Sequence, residues 1–181
     1  MFLLERGKLM AGGIQLGTSA TSKESAGLDN TVKEASKIAF EYYSKVYDIE
    51  YQTKLTKKQI PYGIGALSPD GGIWTYKNKP IMMIEAKHQG AIGNAIERWF
   101  KNMYIARVIN PNITYLTFAT GEGTKVGNPI HTILYIPHDG EYNIVRAGKN
   151  TAFLQEEHFE LDKLVFWIKR TFIATMKELN A

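Results

Sequence analysis

The chain has 181 residues, 44% hydrophobic and 22% charged, the ordinary composition of a soluble globular domain with one real core. It lacks cysteine, which excludes disulfides and thiolate metal sites, so any metal must use oxygen or imidazole ligands, and there are four histidines. A net charge of +4 and a pI of about 9.1 suit a polyanionic partner, no apolar run is long enough to cross a bilayer, and residues 1–4 are too short for a signal-peptide core, so the cytoplasm is the expected location.

Residues 7–30, rich in Gly, Ser, Thr and Ala, read as a flexible N-terminal arm ahead of a single domain. Thr31 and Glu34 have capping-box spacing, and Val32, Ala35, Ala39, Tyr42 and Val46 mark one face of a helix running to about Tyr47. Residues 49–55 suit a strand. Residues 72–76 and 81–87 read as two strands joined by the turn-forming tetrad Lys77-Asn78-Lys79-Pro80. A second helix is expected over 94–108, stopped by Pro111, and a buried strand over 114–120. Residues 121–129 read as a loop, and 130–136 and 142–146 as strands around a turn at His138-Asp139-Gly140. A last helix over 162–179 carries the apolar stripe Leu161, Leu164, Val165, Ile168 and Phe172. The order implies an α/β fold with a mixed central sheet flanked by helices.

Chemistry concentrates between Pro69 and Asn102. Alternate strand residues share a face, so Glu85 and Lys87 lie together, about 6–7 Å apart along the strand, while Ala86 turns toward the core with Ile84 and Met82. Asp70 precedes the partner strand of the hairpin, whose pairing can bring its carboxylate beside Glu85. Two carboxylates with water and a phosphate oxygen suit Mg²⁺, and Lys87 can orient a water or neutralise developing charge. Each feature also has an ordinary use: Asp70 as a turn residue, and Glu85 with Lys87 as a solvated pair.

The adjacent helix singles them out. Asn94, Glu97, Arg98 and Lys101 recur at i, i+3, i+4 and i+7, opposite Ile96, Trp99, Phe100 and Met103. An amide, a carboxylate, a guanidinium and an ammonium on one face are the groups that read base edges and phosphates. Gly93 allows close backbone approach at the positive end of the helix. His131, His138 and His158 lack metal-pair spacing, and His88 should face away from Lys87.

These blocks, Pro69-Asp70-Gly71-Gly72-Ile73, Glu85-Ala86-Lys87-His88-Gln89-Gly90 and Gly93-Asn94-Ala95-Ile96-Glu97-Arg98 with Lys101-Asn102, resemble EcoRI-type restriction endonucleases of the PD-(D/E)XK nuclease superfamily. The resemblance implies a restriction-endonuclease-like fold in a prokaryotic cytoplasm. It implies a homodimer that binds a palindromic double-stranded DNA site with a central AATT and hydrolyses one phosphodiester per strand with Mg²⁺. By motif position, Asp70, Glu85 and the backbone carbonyl of Ala86 would ligate metal, and Lys87 would serve the attacking water. Asn94, Glu97 and Arg98 would read adenine, Ala95 and Gln89 would contact thymine, Gly93 would open the recognition segment, and Lys101 and Asn102 would touch the DNA backbone. Only Ala91 and Ile92 separate the catalytic block from Gly93, a shorter spacing than in the best-known family member, and the outer base pair stays open. A structure-specific or repair nuclease of the same superfamily and a non-cutting DNA-binding module are the competing functions.

Overall fold

The computed structural model describes residues 18–56, 58–60, 66–90, 95–124, 138–139, 144–146 and 151–180, with backbone alone at 18–23, 95–98, 100, 138–139, 144–146 and 151–152. Helix α1 runs Thr18–Tyr43. The arm expected over 7–30 is therefore helical from Thr18 onward, and its earlier residues lie outside the described ones. Leu28, Val32, Ala35, Ser36, Ala39 and Tyr43, spaced by three or four residues, are all buried. Packing along this stripe overrides the weak helix propensity of the Gly- and Ser-rich start. The Thr31 hydroxyl donates back to the Gly27 carbonyl (2.8 Å), so Thr31 is mid-helix and not a cap. Tyr42 and Val46 are exposed (57% and 76%) and Tyr43 takes the buried position, because the stripe follows 3.6-residue spacing and the helix ends there.

Strands β1 (Ile49–Gln52), β2 (Gly72–Tyr76) and β3 (Lys79–His88) form an antiparallel set. The β2–β3 connection is a two-residue turn, Lys77 and Asn78, with φ of +49° and +62°. Such a turn matches the right-handed twist of the strands, so β3 starts earlier than the expected tetrad allows. Helix α2 (Ala95–Ile109) crosses over to β4 (Thr114–Thr120), which runs parallel to β3 and is buried throughout. Then come β5 (His138–Asp139), β6 (Ile144–Arg146), β7 (Thr151–Gln155) and helix α3 (Leu161–Leu179). The seven-stranded sheet has the order β1-β2-β3-β4-β7-β6-β5, with β3, β4 and β7 parallel. This is the expected α/β fold with a mixed sheet. Two local expectations differ: His138 and Asp139 pair with Val145 and Ile144 as an edge strand and not a turn, and β7 was not foreseen. β7 is short and carries Phe153, Leu154 and Gln155 buried in succession, so no alternation marks it.

The sheet separates two cores. Helices α1 and α3, the latter with Phe172, pack on one face over Trp74, Met82, Ile84, Ala86, Leu116 and Phe118. Helix α2 lies on the other, with Trp99 packed over Ile73, Met83, Tyr115, Ala119 and Phe153. Strand β3 feeds both by alternation, which sends Glu85 and Lys87 to the α2 side. Among the described residues no helix is long and apolar enough to cross a membrane.

Candidate active site

The site forms where β2 stops and β3 continues. Their pairing begins at Gly72 opposite Ile84, and just before it the Gly71 amide donates to the Ile84 carbonyl (2.9 Å). A Cβ at Gly71 would meet Ile84 Cβ at 2.7 Å, and Gly72 holds φ at +82°, so the chain turns here only with glycine at both positions. Two residues further along β3, Ala86 has no residue of β2 opposite it. Its amide donates to Asp70 Oδ2 (3.1 Å), so a side chain replaces the missing ladder bond and fixes Asp70 beside Glu85. The Ala86 carbonyl faces the same way as its amide in an extended strand.

Glu85 is 3% exposed. Its Oε1 accepts hydrogen bonds from Lys87 Nζ and from Asn102 Nδ2, the latter at 3.3 Å. Its Oε2 is buried without a hydrogen-bond partner. Burial raises the Glu85 carboxyl from 4.5 to about 7; the Lys87 charge opposes this, the Asp70 charge adds to it, and the two donors oppose it further. Lys87 keeps 20% of its side chain in solvent. On β4, Tyr115 is fully buried beside these groups, and burial first, then Glu85 and Asp70, push its phenol well up. Its hydroxyl lies near the Asn102 amide but makes no well-formed hydrogen bond.

A third carboxylate approaches from α1. Burial, then the neighbouring Asp70 charge, raise Asp29 to about 6, with Lys87 opposing. Asp29, Lys33, Tyr51, Asp70 and Gly72 line a crevice of about 250 Å³. The sequence reading missed Asp29 because it lay within the segment taken as an arm; its place next to Leu28 in the buried stripe was the available signal.

Asp70, Glu85 and Lys87 thus converge as expected. Trp99 anchors α2 over them, with Nε1 donating to Thr117 Oγ1 (2.6 Å). Met103, Ile105 and Ala106 continue the buried face, and Lys101 is exposed. Asn102 turns inward to Glu85 in this structure, where an outward contact to the DNA backbone was expected: it lies three residues after Trp99 and so on the buried face. Gln89 is tied by its backbone to the end of β4 and the turn after it, donating to Thr120 O and accepting from Gly123 N. Ala95, Glu97 and Arg98 lie in the opening turns of α2, while Gly93 and Asn94, like His131, fall outside the described residues. His88 faces the opposite side of the sheet, with Nδ1 2.8 Å from Thr120 Oγ1 and Nε2 3.1 Å from the Glu24 carboxylate. His158 is exposed beside Glu160.

Among the described residues no group of three or more His, Asp or Glu side chains is close enough to hold a metal ion. The available set is two carboxylates and a carbonyl, a partial oxygen set of the kind Mg²⁺ takes while keeping several waters. The unpartnered Glu85 Oε2 is the atom such a cation would satisfy.

Compared with protein-family models, with curated proteins and with solved structures, the chain matches none.

Proposed function

We propose that this chain is a Mg²⁺-dependent type II restriction endonuclease, with a restriction-endonuclease-like fold, that acts as a homodimer on palindromic double-stranded DNA containing a central AATT. The observation that carries the reading is the convergence of Asp70, Glu85 and Lys87 at the open end of the β2–β3 hairpin, directly beneath α2.

Asp70 and Glu85 supply hard oxygen donors, with the Ala86 carbonyl on the same side as Asp70. Mg²⁺ bound there would furnish an activated water and charge neutralisation at the phosphate. The Lys87 ammonium, held at Glu85 Oε1 and partly open to solvent, stands ready to stabilise negative charge developing on the phosphorus oxygens. Lys101 is exposed on α2, and Glu97 and Arg98 precede it by four and three residues on the same side of the helix. That face is the candidate reader of base edges, entering the major groove as a recognition helix does. Two-fold symmetry of the dimer would mirror that of the site.

Plasmid DNA digested with Mg²⁺, followed by sequencing of the product ends, tests this reading. Discrete fragments with a common end sequence, cut at AATT-containing sites, are expected. Ragged products or cutting only at junctions would replace restriction with a structure-specific or repair nuclease. DNA shifted in a gel with Ca²⁺ but left intact with Mg²⁺ would leave a binding module.

A further inference from the structure

Among the described residues, Trp99 and Asn102 on one face of helix α2 each hydrogen-bond to the sheet. Trp99 binds Thr117 on β4, and Asn102 binds Glu85 on β3. Thr117 and Glu85 are direct neighbours in the parallel register, so the two anchors sit side by side. The first joins an indole to a hydroxyl, an ordinary buried hydrogen bond. The second spends its amide on a buried carboxylate whose other oxygen has no partner.

Both donors that reach Glu85 go to Oε1. Lys87 is on the same strand and moves with it. Asn102 is the donor that comes from another element, so it limits rotation of the Glu85 carboxylate about its terminal torsion. That torsion is broad in the absence of such a contact. With Oε1 engaged twice, Oε2 is left as the free ligand. The Tyr115 hydroxyl, buried and without a well-formed hydrogen bond beside the Asn102 amide, adds a second unsatisfied polar atom to the same spot. A helix clamp of purely structural purpose would not need an unpartnered Oε2 beside it.

Resting on the nuclease reading, we propose that Asn102 is a positioning residue: its amide fixes Glu85 so that Oε2 is presented to a divalent cation, which makes cation binding depend on the seating of the DNA-reading helix. Asn102 then acts through Glu85 and not through a DNA phosphate. The hydrogen-bonded supports of metal ligands are worth about tenfold to a hundredfold in metal affinity or activity.

The test uses the full chain and the variants Asn102→Ala, Asn102→Leu and Lys101→Ala. Asn102→Leu keeps the branched shape and removes the amide, donor and acceptor together. Binding of Mn²⁺ is followed by the free-ion electron paramagnetic resonance signal without DNA. Duplex binding is measured in EDTA by fluorescence anisotropy, and the Mg²⁺ concentration for half-maximal cleavage by single-turnover assay. Both Asn102 variants are expected to weaken Mn²⁺ binding and raise the Mg²⁺ requirement about tenfold or more, with duplex binding in EDTA unchanged. Lys101→Ala is expected to do the reverse, weakening duplex binding and leaving Mn²⁺ binding alone. Wild-type Mn²⁺ affinity in both Asn102 variants would overturn the inference, as would loss of duplex binding in EDTA with Mn²⁺ binding intact. A wild-type chain that neither binds Mn²⁺ nor cuts any duplex would instead overturn the nuclease reading beneath it.

Discussion

Glu85→Gln separates the cost of the site from its use. In the folded protein Glu85 titrates at about 7 against 4.5 for an ordinary glutamate, chiefly because it is buried. The sign follows from proton occupancy. Below pH 4.5 the carboxyl is protonated folded or unfolded. Between 4.5 and about 7 the unfolded chain has lost its proton while the folded chain retains it, so stability falls as pH rises; above about 7 the loss is complete. At about 1.4 kcal/mol per pH unit, the full loss is on the order of 3 kcal/mol. Gln has the same shape, carries no charge, and can still accept from Asn102 through its carbonyl. It leaves Lys87 without its anion, but that attraction is already contained in the Glu85 shift, so a gain on the order of 3 kcal/mol over wild type at pH 8 is expected. For a chain of this length that corresponds to a rise of roughly 6–12 °C in Tm. Thermal unfolding by circular dichroism in EDTA at pH 4.5, 6 and 8 reads it directly. Wild type and variant should coincide at pH 4.5 and diverge as pH rises. Asp29, raised to about 6, contributes a decline of its own to both proteins, so the quantity to read is their difference. The same variant should lose DNA cleavage. A Gln variant no more stable than wild type at pH 8 would show that the buried carboxylate costs the fold nothing, and the account of Glu85 would fail.

The remaining expectations concern the neighbours of Glu85. Lys87→Met should lower single-turnover cleavage by about a hundredfold or more, with duplex binding in EDTA preserved; near-normal cleavage would remove Lys87 from the chemistry. Gly71→Ala puts a methyl against the Ile84 side chain, so a loss of about 1–3 kcal/mol in urea unfolding should accompany reduced cleavage, because the turn that carries Asp70 must shift. Glu97→Ala and Arg98→Ala should each reduce discrimination for AATT-containing duplex by roughly 1–3 kcal/mol in competition binding, and unchanged discrimination would mean that another surface reads the DNA.

The hairpin, the crossover helix and β4 were legible in the chain because their signals are local. Lys77-Asn78 can turn, residues 81–87 and 114–120 are strand formers, and Trp99 and Met103 recur at helical spacing. Helix α1 was legible only in its second half. Its first half has the composition of a loop, and burial of Leu28 against the sheet outweighs that preference. The inward turn of Asn102 was not read from the chain: the family resemblance put it on the DNA backbone, while its distance of three residues from Trp99 places it on the buried face.

The same division runs through the site. That Glu85 and Lys87 share one face follows from the two-residue repeat of an extended strand, which any reader of the chain can apply. That Asp70 joins them depends on where β2 ends, leaving the Ala86 amide to a side chain. That Glu85 titrates near neutrality depends on α2 closing over it, and that its two oxygens differ depends on Asn102 arriving from a helix. Desolvation and hydrogen bonding across elements are properties of the packed molecule, because they come from atoms distant in sequence that only folding brings within a few ångströms.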